Sequence, residues 1–302
     1  MKKRNNITES QNANSIDIDT KGISEIVRIF NDDSKYIIEG INKSQGDIVA
    51  AVEITLDALL SGGRLFYVGA GTSGRLGVLD ASECRPTFSV DDEMVQGIIA
   101  GGYRALSESI EGAEDDIKDV EKIIKGKNIT SRDVVIGISC SGTAPFVLEF
   151  LNQSKMRDAK TVLITFNDIE PLDYADKIIR TYVGPEIISG STRMKSGTAT
   201  KMILNMISTI TMIKLNKTYG NFMVDLNVVN NKLEYRAINI IRSLIGISEK
   251  DSREALMKAR GKVKVALVMI EVGVSYEDAI DLIDKYEGSL RKILDQYPKD
   301  SR

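Results

Sequence analysis

The sequence GAGTSGRLG, residues 69–77, directly follows the apolar, β-prone run Leu65–Val68, and a helix-capable segment comes next. A strand that ends in glycines and turns at once into a helix presents free backbone N–H groups at the helix N-terminus. Such a turn binds anions well, and the hydroxyls of Thr72 and Ser73 beside Gly71 add donors suited to phosphate. Glycine-rich turns also occur for backbone reasons alone, so this stretch by itself leaves a phosphate site and a plain turn equally open.

A second turn of the same kind has the sequence ISCSGTAP, residues 138–145. It ends the almost continuous apolar run Asp133–Ser139, which is typical of a central parallel strand buried on both faces. The hydroxyls of Ser139, Ser141 and Thr143 can converge on one anion together with backbone N–H groups. A plain serine-rich turn is the alternative, but two such turns in one chain favour a phosphate site.

A third turn, GSTRMKSG at residues 190–197, opens a long segment rich in Met and Ile. Thr192 is a suitable N-cap for a helix there. By themselves, Arg193 and Lys195 could be surface residues that form salt bridges.

Apolar runs alternate with amphipathic segments between residues 61 and 225, which we take as one domain. We expect strands at Arg64–Gly69, Met94–Ala100, Asp133–Ser139, Lys160–Phe166 and Ile178–Val183. We expect helices at Ala105–Lys125 with a break near Gly112, at Pro145–Arg157 and at Arg193–Leu215. The alternation predicts an α/β fold with a doubly wound parallel sheet and ligands beyond the carboxyl ends of the strands.

Residues 1–60 and 226–302 flank this domain with a different pattern. Residues 1–20 are polar enough to suggest a disordered tail, Ile23–Phe30 a short helix and Lys35–Leu60 one long amphipathic helix. Beyond residue 226 the pattern is helical only, and it predicts a small bundle that stabilises the chain or supports a dimer. Its expected helices are Leu233–Ile245, Asp251–Lys258, Val263–Val272, Tyr276–Lys285 and Ser289–Tyr297.

The composition excludes several classes of site. The chain has no histidine, which removes Ser-His-Asp and Cys-His nucleophile systems and imidazole metal sites. Acid–base chemistry near neutral pH then falls to groups such as carboxylates, whose pKa burial raises. With a net charge of −3 there is no bulk basic field, so we expect no nucleic-acid and no membrane partner.

The absence of targeting signals and the low cysteine content predict a cytoplasmic protein without a membrane span. No apolar run approaches the ~20 residues that span a bilayer, and the basic N-terminus lacks the apolar core of a secretory signal. The two cysteines, Cys84 and Cys140, fit small buried thiols in a cytoplasmic protein.

The motif GAGTSGRLGVLDASEC-x-PT, residues 69–87, resembles the signature of the N-acetylmuramic acid 6-phosphate etherases. The resemblance continues through IAGG (99–102), EGAED (111–115), GSTRMKSGTA (190–199) and GNFMVD (220–225), and so covers most of the chain. It implies the flavodoxin-like sugar-isomerase (SIS) fold and an enzyme that removes D-lactate from a phosphorylated cell-wall sugar. It also implies that residues 8–17 lie against the sugar site. Arg85 departs from the pattern, because proline is expected there in many relatives.

The resemblance implies Glu83 and Glu114 as the catalytic residues, although an isolated glutamate is usually a solvated surface group. The lactyl ether at C3 is β to the C1 aldehyde of the open-chain sugar. Elimination therefore needs a base at the C2 proton and an acid at the ether oxygen. Two carboxyls in one partly buried site have separated pKa values and can supply both roles. We expect Glu83 as the acid and Glu114 as the base, with water adding back in reversed roles and with no metal or redox cofactor.

The resemblance further implies that the three turns bind the sugar phosphate. The expected substrate-binding residues are Gly71, Thr72, Ser73, Ser139, Ser141, Thr143, Ser191 and Lys195. Relatives with this fold complete their sites across a subunit interface, so we expect a homodimer. Two alternatives stay open: an aldose–ketose isomerase, which would often use a histidine for ring opening, and a non-catalytic sugar-phosphate sensor of the glucokinase regulatory protein type.

Overall fold

The structure, a computed structural model, describes residues 6–226, 228 and 230–297. The chain divides into two compact units. The first comprises Met1–Ser82 and Asp92–Ser208, and the second comprises Glu83–Asp91 and Thr209–Arg302. Among the described residues, no helix is both long enough and apolar enough to cross a membrane.

The first unit is built on a five-stranded parallel sheet with the order β2-β1-β3-β4-β5. Its strands are β1 (Leu65–Gly69), β2 (Val95–Ile99), β3 (Val134–Ile138), β4 (Lys160–Thr165) and β5 (Lys177–Arg180). All pairings are parallel, which confirms the predicted fold class. Because the chain leaves β1 toward β2 and returns to β3 on the other side, the order reverses between β1 and β3. A crevice at the carboxyl ends of two such strands is where ligands bind in open α/β sheets.

The central strands have the burial that their apolar runs predict. Every residue of β1 and β3 is buried. Side chains of Phe66 and Val135 pack in one core cluster with Phe150 and Leu163. The register pairs Gly69 with Ile138, so the turns that follow β1 and β3 begin at the same level of the sheet.

The helices of the first unit agree in part with the predictions. The expected single helix Lys35–Leu60 is wrong, because the chain forms α1 (Ile23–Lys43) and α2 (Gln45–Leu60). The Ser44 hydroxyl lies 3.2 Å from Gly40 O, 3.1 Å from Ile41 O and 2.9 Å from Thr181 Oγ1. A hydroxyl that bonds the preceding carbonyls competes with the helical N–H groups, and α1 ends there.

The segment expected as a helix over Ala105–Lys125 is mostly turns. A 3₁₀ turn covers Tyr103–Leu106, and regular helix is restricted to α4 (Val120–Lys127). Gly101, Gly102 and Gly112 all have positive φ, which an α-helix does not accommodate. The remaining helices are α3 (Gly71–Phe88), α5 (Pro145–Lys155) and α6 (Lys195–Lys214).

The polar N-terminal segment is folded rather than disordered from residue 6 onward. It forms three 3₁₀ turns, Ile7–Glu9, Ala13–Ser15 and Ile18–Thr20. Thr8 is buried, and the Ser15 hydroxyl donates to the Ile187 carbonyl at 2.7 Å. Polar side chains here find partners far along the chain, which local composition does not reveal.

The second unit is helical, as its sequence pattern predicts. It contains α7 (Asn231–Ile245), α8 (Glu249–Lys258), α9 (Val263–Val272), α10 (Tyr276–Lys285) and α11 (Leu290–Gln296). Side-chain oxygens of Ser248, Ser275 and Ser289 accept backbone N–H groups at three of the helix N-termini. Ser and Asn are preferred at such positions because they satisfy N–H groups that have no intrahelical partner.

Candidate active site

A cavity of about 480 Å³ opens at the carboxyl ends of β1 and β3 in the first unit. Both glycine- and serine-rich turns line it, together with loop 108–114 and parts of the N-terminal segment and of the third turn. Of the predicted site residues, the structure brings together Gly71, Thr72, Ser73, Ser139, Ser141 and Glu114.

The first turn has the geometry that its glycines predict. Gly71 has a φ of +51° and begins α3. A side-chain carbon on Gly69 would lie 2.6 Å from the Gly74 nitrogen, so only glycine allows this approach of strand and helix. The N-terminus of α3 therefore points its N–H groups at the cavity, with the buried Ser73 hydroxyl 3.7 Å from the Cys140 sulfur.

The second turn orients its hydroxyls. Ser141 Oγ accepts hydrogen bonds from Thr143 N at 3.1 Å and from Thr143 Oγ1 at 2.8 Å. Ser139 Oγ accepts from Ala144 N at 3.2 Å. A hydroxyl oxygen that already accepts two hydrogen bonds keeps its own hydrogen for an outside acceptor. The Ser141 hydrogen is therefore left for Ser139 Oγ, 3.4 Å away, or for an anion bound in the cavity.

Glu114 reaches the cavity from the loop before α4. Its carbonyl accepts from Phe146 N at 2.9 Å, which ties the loop to the first turn of α5. Its side chain is exposed, and Glu114 lines the same cavity as residues of the first two turns.

Four predicted site residues lie elsewhere. Thr143 and Ser191 are not among the residues that line the cavity; Thr143 acts through Ser141 instead. The Lys195 ammonium lies 2.6 Å from Asp33 Oδ2, both side chains are buried, and Lys195 is not among the residues that line the cavity. Glu83 is exposed in the fourth turn of α3, belongs to the second unit and does not line the cavity of the first.

Arg75 is a cavity residue that the sequence reasoning did not single out. Its guanidinium donates to the carbonyls of Leu106 at 3.0 Å and Glu108 at 2.8 Å. It is the one cation among the described residues that line the cavity. Its position four residues after Gly71 could have indicated from the sequence that it lies near the anion site.

Thr8 and Glu9 also line the cavity. Asn167, fully buried after β4, accepts from Thr8 N at 3.2 Å and donates to Thr8 Oγ1 at 2.9 Å and to the Cys140 carbonyl at 2.9 Å. Thr8 O accepts from Gly190 N at 3.1 Å. The N-terminal segment is therefore tied to both the second and the third turn.

Neither cysteine is arranged as a nucleophile. Cys84 is buried. Burial raises the pKa of the Cys140 thiol, outweighing its hydrogen bonds with Ser73 and Thr192. The thiol that lines the cavity is therefore protonated at neutral pH. In the described part of the chain, no three Cys, Asp or Glu side chains cluster as metal ligands.

Three domain families match the chain. The glucokinase regulatory protein N-terminal SIS domain matches residues 47–155, the SIS domain matches residues 118–210, and the C-terminal lid domain of glucokinase regulatory protein matches residues 220–275. The chain is therefore similar to SIS domains over residues 47–210 and to the lid domain of glucokinase regulatory protein over residues 220–275.

Curated relatives match nearly the whole chain. An N-acetylmuramic acid 6-phosphate etherase from Actinobacillus succinogenes is 45% identical over 96% of this chain and 96% of its own. One from a Synechocystis strain is 46% identical over 97% of this chain and 96% of its own. A solved phosphoheptose isomerase from Neisseria gonorrhoeae aligns with a TM-score of 0.45 at 15% identity, over 62% of this chain and 97% of that one.

Proposed function

Because the chain belongs to the N-acetylmuramic acid 6-phosphate etherase family, we propose that it cleaves the D-lactyl ether of N-acetylmuramic acid 6-phosphate. The products are D-lactate and N-acetylglucosamine 6-phosphate. The main observation behind the proposal is that a single cavity is lined by the first two turns, which are suited to bind phosphate, and by Glu114. Relatives named etherases are 45–46% identical to this chain over nearly its full length, which favours this activity over the isomerase and sensor alternatives.

The phosphate binds between the first two turns. The N-terminus of α3 supplies N–H groups from Gly71 to Ser73, and the hydroxyls of Ser139 and Ser141 supply further donors. Arg75 adds a positive charge beside them. Since the other charged side chains lining the cavity are carboxylates, these donors must offset the repulsion of a doubly charged phosphate.

Glu114 takes the C2 proton of the open-chain sugar. The proton is acidified by the C1 aldehyde, and the electron pair left at C2 expels the lactyl oxygen from C3. An acid must protonate that oxygen as the bond breaks, because a free alkoxide leaves poorly. We assign this acid to Glu83. Water then adds at C3 of the unsaturated aldehyde, with the two carboxyls in reversed roles.

The position of Glu83 supports a site shared between two copies of the chain. Glu83 lies three helical turns beyond Gly71 within α3, about 18 Å along the axis at ~1.5 Å per residue. A hexose phosphate held at the first turn is much shorter than that distance. We therefore propose a homodimer in which each site receives Glu83 from the other subunit.

An exposed apolar face of α1 also supports the homodimer. Ile23, Val27, Phe30 and Ile38 follow the 3.6-residue period on one side of the helix, and all four are exposed. An apolar stripe of this kind is typical of a surface that a partner covers. We further propose a cytoplasmic location, which the low cysteine content favours.

The test is incubation of the purified chain with N-acetylmuramic acid 6-phosphate and enzymatic assay of released D-lactate. We expect stoichiometric D-lactate with wild type and none with Glu114→Gln. Asp19→Asn, an exposed carboxylate outside the cavity, serves as the matched control and should keep full activity. A folded wild-type chain that binds the sugar phosphate without releasing D-lactate would favour the sensor alternative.

A further inference from the structure

The cavity holds a carboxylate that the elimination does not use. Glu9 lines the same cavity as Glu114, although it lies more than one hundred residues away in the chain. In the part of the chain that the structure describes, its carboxylate has no ion-pair or hydrogen-bond partner. By contrast, Glu108, another lining carboxylate, is paired with Arg104 at 2.7 Å.

The backbone next to Glu9 is held in place through Thr8. Thr8, its neighbour, is buried and bonded through Asn167 to the carbonyl of Cys140 in the second turn. The Thr8 carbonyl accepts from Gly190 N in the third turn. An exposed acidic side chain on a free tail would need none of these contacts, whereas a group that must meet a substrate needs fixed backbone.

Because Gly190 has no side chain, there is room beside it for the side chain of Glu9. A side-chain carbon at Gly190 would lie 2.9 Å from Glu9 Oε2, closer than real contacts allow. Gly190 also has a φ of +78°, which favours glycine there, and a side-chain carbon at this position would make the flexible Glu9 carboxylate move. Gly190 of the third turn therefore lies against the Glu9 carboxylate, and both residues line the cavity.

The reaction contains a proton transfer that neither Glu83 nor Glu114 accounts for. The C2 proton is acidic only when C1 is an aldehyde, yet amino sugar phosphates exist mainly as closed rings. Opening the ring moves a proton away from the C1 hydroxyl and another onto the ring oxygen. The chain has no histidine to catalyse this step.

We propose that Glu9 is the catalytic base of ring opening, an inference that rests on the proposed etherase function. Its carboxylate takes the proton of the C1 hydroxyl as the C1–O5 bond breaks and C1 becomes the aldehyde. The electron pair of that bond goes to O5, which takes a proton from water. The hydroxide left behind recovers the proton from Glu9, so the carboxylate is restored and nothing is consumed.

The experiment compares a closed-ring with an acyclic substrate. Glu9→Gln should lower kcat for D-lactate release from N-acetylmuramic acid 6-phosphate by about 100-fold or more, the usual worth of an acid–base group. The acyclic 2,3-unsaturated aldehyde 6-phosphate left after elimination needs no ring opening. Glu9→Gln should therefore hydrate it as fast as wild type, and its melting temperature should be unchanged.

Two further variants sharpen the result. Gly190→Ala should reproduce the selective loss, because it displaces the carboxylate, while Gly246→Ala, at a positive φ with open space around it, should keep both activities. Equal losses on both substrates, or no loss, in Glu9→Gln would overturn the role of Glu9. Absence of D-lactate release by wild type would instead overturn the etherase function and this inference with it.

Discussion

The ammonium of Lys195 lies 2.6 Å from a carboxylate oxygen of Asp33, and their side chains are 5% and 2% exposed. Asn12 donates to both Asp33 oxygens and to the Pro185 carbonyl. The buried Glu186 carboxylate accepts the backbone N–H groups of Lys195 and Ser196 at the start of α6. These bonds join α1, the N-terminal segment and the third turn, and the last two of these contribute residues that line the cavity.

Lys195→Met should destabilise the protein strongly, because it leaves the Asp33 carboxylate buried without its cation. Removing one partner of a buried pair costs about 3–5 kcal/mol, and urea unfolding measures it. Lys177→Met is the matched control, since the Lys177–Asp47 pair has the same 2.6 Å separation but is about one-third exposed. That change should cost about 0.2–1 kcal/mol. Equal losses in the two variants would contradict the structural role of Lys195.

The pair of Arg64 and Asp133 predicts a pH-dependent part of the stability. Burial by itself would raise the pKa of Asp133, but hydrogen bonds from Arg64 and from Thr130 N outweigh it and hold the pKa below its usual range. A carboxyl with a lowered pKa in the folded state stabilises above the ordinary value of about 4. That stabilisation is lost as the pH falls through the folded-state pKa.

Asp133→Asn should therefore lower the free energy of unfolding at pH 7 by about 1.5–3 kcal/mol, the range for hydrogen bonds to a charged group. The difference from wild type should begin to shrink below about pH 4, where the carboxyl of the unfolded chain takes up a proton, and should be smallest once the pH has fallen through the folded-state pKa. Urea titrations between pH 3 and 7 provide the measurement. A difference that stays constant over this range would show that the charge of Asp133 does not matter.

Much of the sheet and the first two turns can be predicted from the sequence, because local patterns determine them. The apolar runs of β1 and β3 are buried as predicted, and glycines mark the turns after them. Glu9 and Lys195 could not be assigned in this way. The contacts that place them, with Asn167 and Asp33 respectively, join parts of the chain that are far apart in sequence. A sequence motif can single out such a residue, but the contacts of its side chain depend on the fold.

The break at Ser44 escaped prediction for a different reason. The apolar period continues across it, so the pattern predicts one long helix. The Ser44 hydroxyl bonds to carbonyls in the last turn of α1 and lies 2.9 Å from Thr181 Oγ1, just after β5. This partner of Ser44 lies far along the chain, so the local pattern carries no sign of it.

Ser141→Ala should weaken substrate binding more than it slows the chemistry. Ser141 Oγ already accepts two hydrogen bonds from Thr143, so its hydrogen is available to the phosphate. Losing that bond should raise KM by about 5- to 30-fold, or ~1–2 kcal/mol, with a smaller change in kcat. Thr143→Val, which removes one of the orienting donors, should raise KM less. Efficient cleavage of unphosphorylated N-acetylmuramic acid would contradict the phosphate site.

The two proposed catalytic glutamates can be separated in deuterated water. Glu83→Ala should lose D-lactate release but still exchange the C2 proton of the substrate for deuterium, because Glu114 is intact. Glu114→Ala should lose exchange and elimination together. Proton NMR follows the exchange, and an enzymatic assay follows D-lactate. The opposite pattern would reverse the two roles, and full activity in both variants would refute them.

Mixing these two inactive variants tests whether each site uses Glu83 from the other subunit. In a heterodimer of Glu83→Ala and Glu114→Ala chains, a shared arrangement puts both substitutions into one site and leaves the other intact. Random assortment of equal amounts should therefore restore about one quarter of wild-type D-lactate release, and a heterodimer purified with two different tags about one half. If Glu83 acts within its own chain, every site carries one substitution and the mixture stays inactive. Sedimentation of the same samples checks that dimers have formed. An inactive heterodimer would refute the shared site. A wild-type chain that is monomeric and fully active would refute the dimer itself.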